Sequence, residues 1–312
     1  YGLVGSEMCI RDRSITMLKE DELAKLRKVG EISGAARELG MSMCEAGVKL
    51  YDVAQEVEGY IREHGCGLSF PCNISRNEVA AHYTPSCNDE TRFEIGDVVK
   101  IDCGGMLDGF IGDTAGTVEV GTRNYTDLIE SAKRARDTVA EFIGAGIPIN
   151  EIGAAIAGSV KRDGFKVVEN LCGHQIDRWN LHAGFSVAPY DNGDNTMLEA
   201  GMTVAIEPFA TNGGGYVDNG KHGNIVILTR DKPSGNPKAD EFVTYVKEEF
   251  PDSPFCARSC DFPDAEKWVK LLMRKGILSG FNELVEINGG MVAQFEHTFY
   301  IAGKRGEITT GP

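Results

Sequence analysis

Five residues carry the chemistry that can be read first from this chain: Asp102, Asp113, His174, Glu207 and Glu296. Asp102 ends the apolar run Val98-Val99-Lys100-Ile101, and Asp113 opens Asp113-Thr114-Ala115-Gly116-Thr117-Val118. Glu207 closes Thr203-Val204-Ala205-Ile206, and Glu296 lies in Met291-Val292-Ala293-Gln294-Phe295-Glu296. Each stretch reads as a buried strand or the end of one. Carboxylates in such places are costly unless paired, protonated or bound to metal. Four carboxylates with one imidazole suit two hard-to-borderline divalent cations that share ligands. The chemistry implied is metal-assisted hydrolysis.

Other elements must bring these side chains together. Asp108-Gly109 is a turn signal between Asp102 and Asp113, so a hairpin is predicted that sets the two acids opposite one another on adjacent strands. A solvated hairpin edge would explain one such pair, but not three further candidate ligands in similar contexts. From Met17 the chain also repeats itself with an offset of 99 residues. Ala36-Arg37 matches Ala135-Arg136, Ala46-Gly47-Val48 matches Ala145-Gly146-Ile147, and Gly59 and Gly65 match Gly158 and Gly164. Leu50, Val53, Val57 and Ile61 fall on Ile149, Ile152, Ile156 and Val160, at helical spacing, with a Gly after each helix. Each unit therefore reads as helix, Gly-containing turn, helix, then strands. Two such halves packed side by side would place ligands from both around a central cleft.

The ligand stretches carry a family resemblance. Lys100-Ile101-Asp102, Asp113 to Thr117, Gly173-His174-Gln175-Ile176, Ala205 to Thr211 and Gln294 to Thr298 occur in order and resemble the methionine aminopeptidases. The last two, with Ala80 to Pro85 and Leu181-His182-Ala183-Gly184, resemble the type II branch in its short, archaeal-type form. The resemblance implies an α+β pita-bread fold with pseudo-twofold-related halves. It implies two divalent ions (Co, Mn, Fe or Zn), with Asp113 and Glu296 bridging, Asp102 on one ion, and His174 with Glu207 on the other. Glu207 is then the candidate proton acceptor for the attacking water. His182 resembles the family histidine that hydrogen-bonds the scissile carbonyl, and His82 the one near the leaving nitrogen. Phe70-Pro71 and Leu181, with His82 nearby, match positions that line a methionine-sized slot, for which a flexible thioether is well suited. The expected substrates are nascent polypeptide N-termini with a small second residue, met near the ribosome.

His64, His222 and His297 are read as ordinary surface or core residues. His297 follows Glu296 on a strand, so its side chain should point away from the cluster.

Composition bounds the rest. A net charge of −15 argues against nucleic acid or an anionic membrane as partner, and no apolar run approaches a membrane span. Nine cysteines without paired spacing suggest reduced thiols in a cytoplasmic protein, and a monomer is expected. Cys256 and Cys260 form one close pair with no second pair to complete a metal site. Residues 1–16 read as a non-native leader, because Met8-Cys9-Ile10-Arg11-Asp12 resembles a translated transposon adapter from library preparation. The expected division is a catalytic domain over 17–228 and 289–312, with an insert at 229–288. The insert carries helical patterns at Asp240–Glu249 and Asp264–Lys275 and resembles a small winged-helix subdomain. Xaa-Pro aminopeptidases and prolidases share the ligand logic, though they carry an extra N-terminal domain. A non-catalytic binding protein on the same fold is the other alternative.

Overall fold

The computed structural model describes residues 17–311; the leader expected over 1–16 lies outside the described residues. Helices α1 (Glu20–Ser42) and α2 (Leu50–Glu63) precede strands β1 (Gly67–Arg76), β2 (Val79–Ala81), β3 (Val98–Leu107) and β4 (Phe110–Glu119). A second helix pair, α3 (Thr126–Ala140) and α4 (Ile149–Arg162), leads into β5 (Lys166–Val167), β6 (Gly173–Asp177), β7 (Asn180–Val187), β8 (Thr203–Ile206), β9 (Phe209–Thr211) and β10 (Val217–Leu228). Then come α5 (Pro237–Glu249), a 3-10 turn at Ala257–Ser259, and α6 (Ala265–Arg274). The chain closes with β11 (Leu278–Glu286), β12 (Val292–Gln294), β13 (His297–Ile301) and β14 (Gly306–Ile308). No helix among the described residues is long and apolar enough to cross a membrane.

The repeat is a structural one. Helices α2 and α4 start and stop at positions 99 residues apart, and each buries the apolar stripe expected of it. The turn before each helix needs a left-handed residue, supplied by Gly47 and Gly146, both at φ +88°. Their N–H groups donate to equivalent carbonyls, of Phe93 and Leu198. Each helix pair covers its own apolar core. One contains Val29, Leu50, Val57, Ile74 and Ile101; the other contains Ala135, Ile149, Ile156, Val204 and Phe299.

Strands β1-β3-β4 form the first sheet, and β14-β13-β8-β6-β7 the second. The halves meet where β4 runs beside residues 294–298. Only one backbone bridge forms there, between Ala115 and Glu296. Threonine hydroxyls complete the seam instead. Thr298 Oγ1 donates to Asp113 O (2.8 Å) and accepts from Asp113 N (2.9 Å), while Thr114 Oγ1 donates to Glu296 O (2.9 Å). Thr117 Oγ1 likewise donates to Gln294 O (2.7 Å) and accepts from Gln294 N (2.8 Å). A hydroxyl can donate and accept at once, so it replaces a ladder partner where the two sheets diverge.

The predicted hairpin forms, with Asp108 and Gly109 both at positive φ in a two-residue turn. Its register corrects one expectation. Because Leu107 pairs with Phe110, Asp102 faces Ala115 and Asp113 faces Gly104. The two acids are therefore diagonal neighbours on one face rather than directly opposed. Both also lie inside their strands, which continue beyond them.

Strands β10 and β11 form a long antiparallel ribbon, from Val217↔Glu286 to Leu228↔Leu278. At its far end α5 and α6 close over a separate core containing Phe242, Phe250, Phe255, Trp268 and Leu272. Near its base, β11 also pairs with β2 through Leu284↔Ala81 and Val285↔Val79. The ribbon is thus sutured to the first half of the molecule.

Candidate metal centre and cleft

The five expected ligands converge on one cavity, which also holds His82, His182, Phe70 and Leu181. Strands β3 and β4 supply Asp102 and Asp113. Strand β6 supplies His174, the residue after β8 is Glu207, and Glu296 sits between β12 and β13. His174 Nε2 lies 3.4 Å from Asp113 Oδ2 and 3.6 Å from Glu207 Oε1. Donor atoms of Asp113, His174 and Glu296 all lie within 4.8 Å of one another, and all three residues are buried.

Without a cation this arrangement is electrostatically unfavourable. Burial, then the Asp113 charge, raises the pKa of Asp102 well above the carboxylate range. Glu207 is raised by burial, then by Asp113 and Asp102. Glu296 is raised by burial, then by Asp113, Glu207 and Asp102. Asp102 Oδ1 and Glu296 Oε1 are buried and accept no hydrogen bond within the protein. Buried acceptors without donors, among mutually repelling carboxylates, fit divalent cations, and the oxygen-rich donor set with one imidazole fits the harder ones.

Two further imidazoles stand over this floor. The His182 ring leans on His174, with centroids 4.3 Å apart. Desolvation by the cleft walls and the neighbouring His174 push its pKa down to about 4, so it is neutral near pH 7. His82 follows β2 at φ +68°, and burial lowers its pKa as well. Phe70 and Leu181 join Met106, Ile111 and Ile176 in a small apolar cluster on one wall. Pro71, expected beside Phe70 in the slot, does not line the cavity.

The remaining histidines behave as expected. His297 is buried away from the cluster with Nδ1 3.0 Å from Thr310 Oγ1, and its pKa is pushed down to about 2 by burial and by Arg136 and Arg37. His64 and His222 are exposed. Cys256 Sγ pairs with Ser259 Oγ and Cys260 Sγ donates to Cys256 O, so neither sulfur faces a metal site.

Several site residues escaped sequence reasoning. Gln294 Nε2 lies 3.3 Å from Asp102 Oδ2 and 3.4 Å from Glu207 Oε2, bridging carboxylates from both halves. Its position two residues before Glu296, on the same face of an extended segment, was the available signal. Asn73, Phe209, Ile225, Pro254, Phe281 and Leu284 also line the cavity. The last four come from the ribbon and the structure it carries, and nothing local marks them.

Metallopeptidase family M24 matches this chain over residues 24–302, and the chain belongs to that family. Its fold is the α+β pita-bread architecture, with divalent metal use implied by membership. A methionine aminopeptidase from Thermococcus onnurineus is 41% identical over 295 residues, covering 93% of this chain and 100% of that protein. The crystal structure of a methionine aminopeptidase from Thermotoga maritima superposes with a TM-score of 0.71 at 22% identity, covering 96% of this chain and all of that one. A prolidase from Pyrococcus furiosus shares the fold at a TM-score of 0.62 and 17% identity, with 96% of this chain matched to 66% of that one.

Proposed function

We propose that this chain is a methionine aminopeptidase, which hydrolyses the bond after an N-terminal methionine when the second residue is small. The observation that carries the reading is the convergence of Asp102, Asp113, His174, Glu207 and Glu296 beneath two neutral histidines, with carboxylate oxygens left unpartnered. Full-length similarity to the Thermococcus enzyme supports it.

Two divalent cations would be held by these five side chains, with Asp113 and Glu296, at the seam between the halves, shared. Bound cations lower the pKa of a water and polarise a carbonyl. Mn, Fe, Co and Zn all suit the donors. Glu207, beside the place where the cations would sit, would take the proton of the attacking water. His182 donates a hydrogen bond to the scissile carbonyl oxygen as negative charge develops on it. His82 stands at the leaving amide nitrogen. Phe70 and Leu181 give the apolar wall against which the methionine thioether packs. Gln294 holds Asp102 and Glu207 at a fixed separation.

The division into a catalytic domain at 17–228 and 289–312 and an insert at 229–288 is part of this reading. So are a monomeric state, a cytoplasmic location and nascent chains near the ribosome as substrates. An Xaa-Pro peptidase would use the same ligands, but at 17% identity the Pyrococcus furiosus prolidase shares the fold alone. Metal-loaded protein should release Met from Met-Ala-Ser. Cleavage of Xaa-Pro peptides regardless of the first residue would replace this reading with the prolidase one. No hydrolysis by protein shown to carry metal would leave a non-catalytic binding protein.

A further inference from the structure

His82 is a non-glycine residue at φ +68°, a conformation that persists only where surrounding contacts impose it. Part of that constraint comes from β1, since Asn73 Oδ1 accepts from His82 N at 2.9 Å and Thr84 Oγ1 donates to Cys72 O at 2.7 Å. The remainder comes from residues that lie between Glu207 and Glu296 in sequence. Asn224 Nδ2 donates to Thr84 O at 2.9 Å. Arg258 Nε donates to Pro85 O at 3.0 Å, and its Nη2 to Thr84 Oγ1 at 2.9 Å. Asn282 O faces His82 Nδ1 at 3.3 Å, and the Phe281 ring meets the imidazole edge-on at 5.5 Å.

Arg258 is itself firmly anchored. Its guanidinium is buried against Glu58 of α2, at 2.7 and 2.9 Å, and the adjacent Ser259 Oγ donates to the same carboxylate at 2.8 Å. The turn at 257–259 is therefore clamped to the first helix pair, with the segment 82–85 held between them. Asn224 and Asn282 hold that segment from the ribbon.

We propose that the ribbon and the structure it carries are the positioning device for His82, presenting its imidazole to the cleft as the Nδ1–H tautomer. A carbonyl oxygen can only accept, so the ring nitrogen facing Asn282 O carries the hydrogen. A neutral ring has one such hydrogen, and Nε2 is left as a hydrogen-bond acceptor towards the cavity. His82 then accepts from a substrate N–H and does not donate to a carbonyl, a division of labour with His182 that rests on the aminopeptidase reading.

The test compares Asn224→Ala and Arg258→Lys, each made in the wild-type and in the His82→Ala background. Asn224→Ala removes one hydrogen bond from an exposed side chain. Arg258→Lys keeps a positive charge beside Glu58 while losing the forked reach to Thr84 and Pro85. Each should lower kcat on Met-Ala-Ser by about tenfold or more in the wild type, since misplacement of about 1 Å can cost ~100-fold. KM and metal stoichiometry should be unchanged, and in the His82→Ala background neither change should cause further loss. Equal losses in both backgrounds, or none in the wild type, would overturn the proposal. Should Arg258→Lys not fold, Asn224→Ala decides by the same comparison. Nitrogen-15 NMR of the His82 ring provides a readout that needs no turnover. A proton on Nδ1 is expected, giving way to mixed tautomers in Arg258→Lys or Asn224→Ala, and an Nε2–H ring in the wild type would refute the assignment. A wild type that carries metal but spares Met-Ala-Ser would sink the aminopeptidase reading alone, with the NMR result still deciding how His82 is held.

Discussion

At the scale of single residues, the cleft sets side chains whose removal should be informative in opposite ways. Asp113 and Glu296 are buried acids that repel their neighbours in the absence of a cation. Replacing either by Ala should abolish peptide hydrolysis and reduce bound metal. The metal-free protein should remain folded, because the substitution removes a buried acid from a cluster of mutually repelling carboxylates. Turnover kinetics, metal analysis and Tm of the stripped protein check this together, and wild-type turnover in either variant would sink the ligand assignment. His182 is different, because its ring leans on His174 beside the carboxylate cluster with a neutral hydrogen-bonding edge. His182→Ala should retain full metal occupancy while kcat falls by roughly two to four orders of magnitude, as for loss of a positioned donor.

At the scale of elements, the seam between the halves rests on threonines rather than on a continuous ladder. Thr298 satisfies both backbone groups of Asp113 with one hydroxyl and is fully buried. Thr298→Val keeps the shape and removes both bonds, leaving a buried N–H and C=O unpaired at about 1–3 kcal/mol for each such group. Denaturant unfolding should show a loss of that order. Metal affinity should fall as well, because Asp113 is then free to shift. A variant with wild-type stability and affinity would show that the seam is held by packing alone. The hairpin teaches a related lesson about legibility. Asp108-Gly109 was readable as a turn, yet the diagonal placing of Asp102 and Asp113 follows from which residues close it.

At the scale of the whole molecule, the proposed metal site makes protons and cations competitors for one set of carboxylates. Asp102, Glu207 and Glu296 have raised folded-state pKa values. Their contribution to the stability of the metal-free protein is fully present below the ordinary carboxylate pKa of about 4. It is lost as pH rises towards their folded values, where the fold holds protons that the unfolded chain has released. A divalent cation displaces those protons. The rise in Tm on adding Mn²⁺ should therefore be larger at pH 8 than at pH 6, and calorimetry should show proton release on binding. A pH-independent shift would contradict the assignment of these acids as ligands. Specificity belongs to the same scale, since walls from both halves and the ribbon bound the cleft. Met-Ala, Met-Gly and Met-Ser peptides should be trimmed and Met-Lys and Met-Phe peptides should resist, because a bulky second side chain displaces the scissile carbonyl. N-acetylated peptides should not react. Comparable rates across the series would remove the steric argument.

The identity of the chemical groups and the twofold plan were determined by the sequence itself. Ligand types, the turn dipeptide and a 99-residue repeat are local or periodic, and they follow from side-chain chemistry and helical spacing alone. The pairing register inside the β3–β4 hairpin, the bridging of Asp102 and Glu207 by Gln294, and the entry of Pro254 and Phe281 into the cleft were decided only by the tertiary structure. So was the left-handed backbone of His82. Each of these depends on segments far apart in the chain being packed against one another, and no residue's own neighbours in sequence record where such a contact will fall.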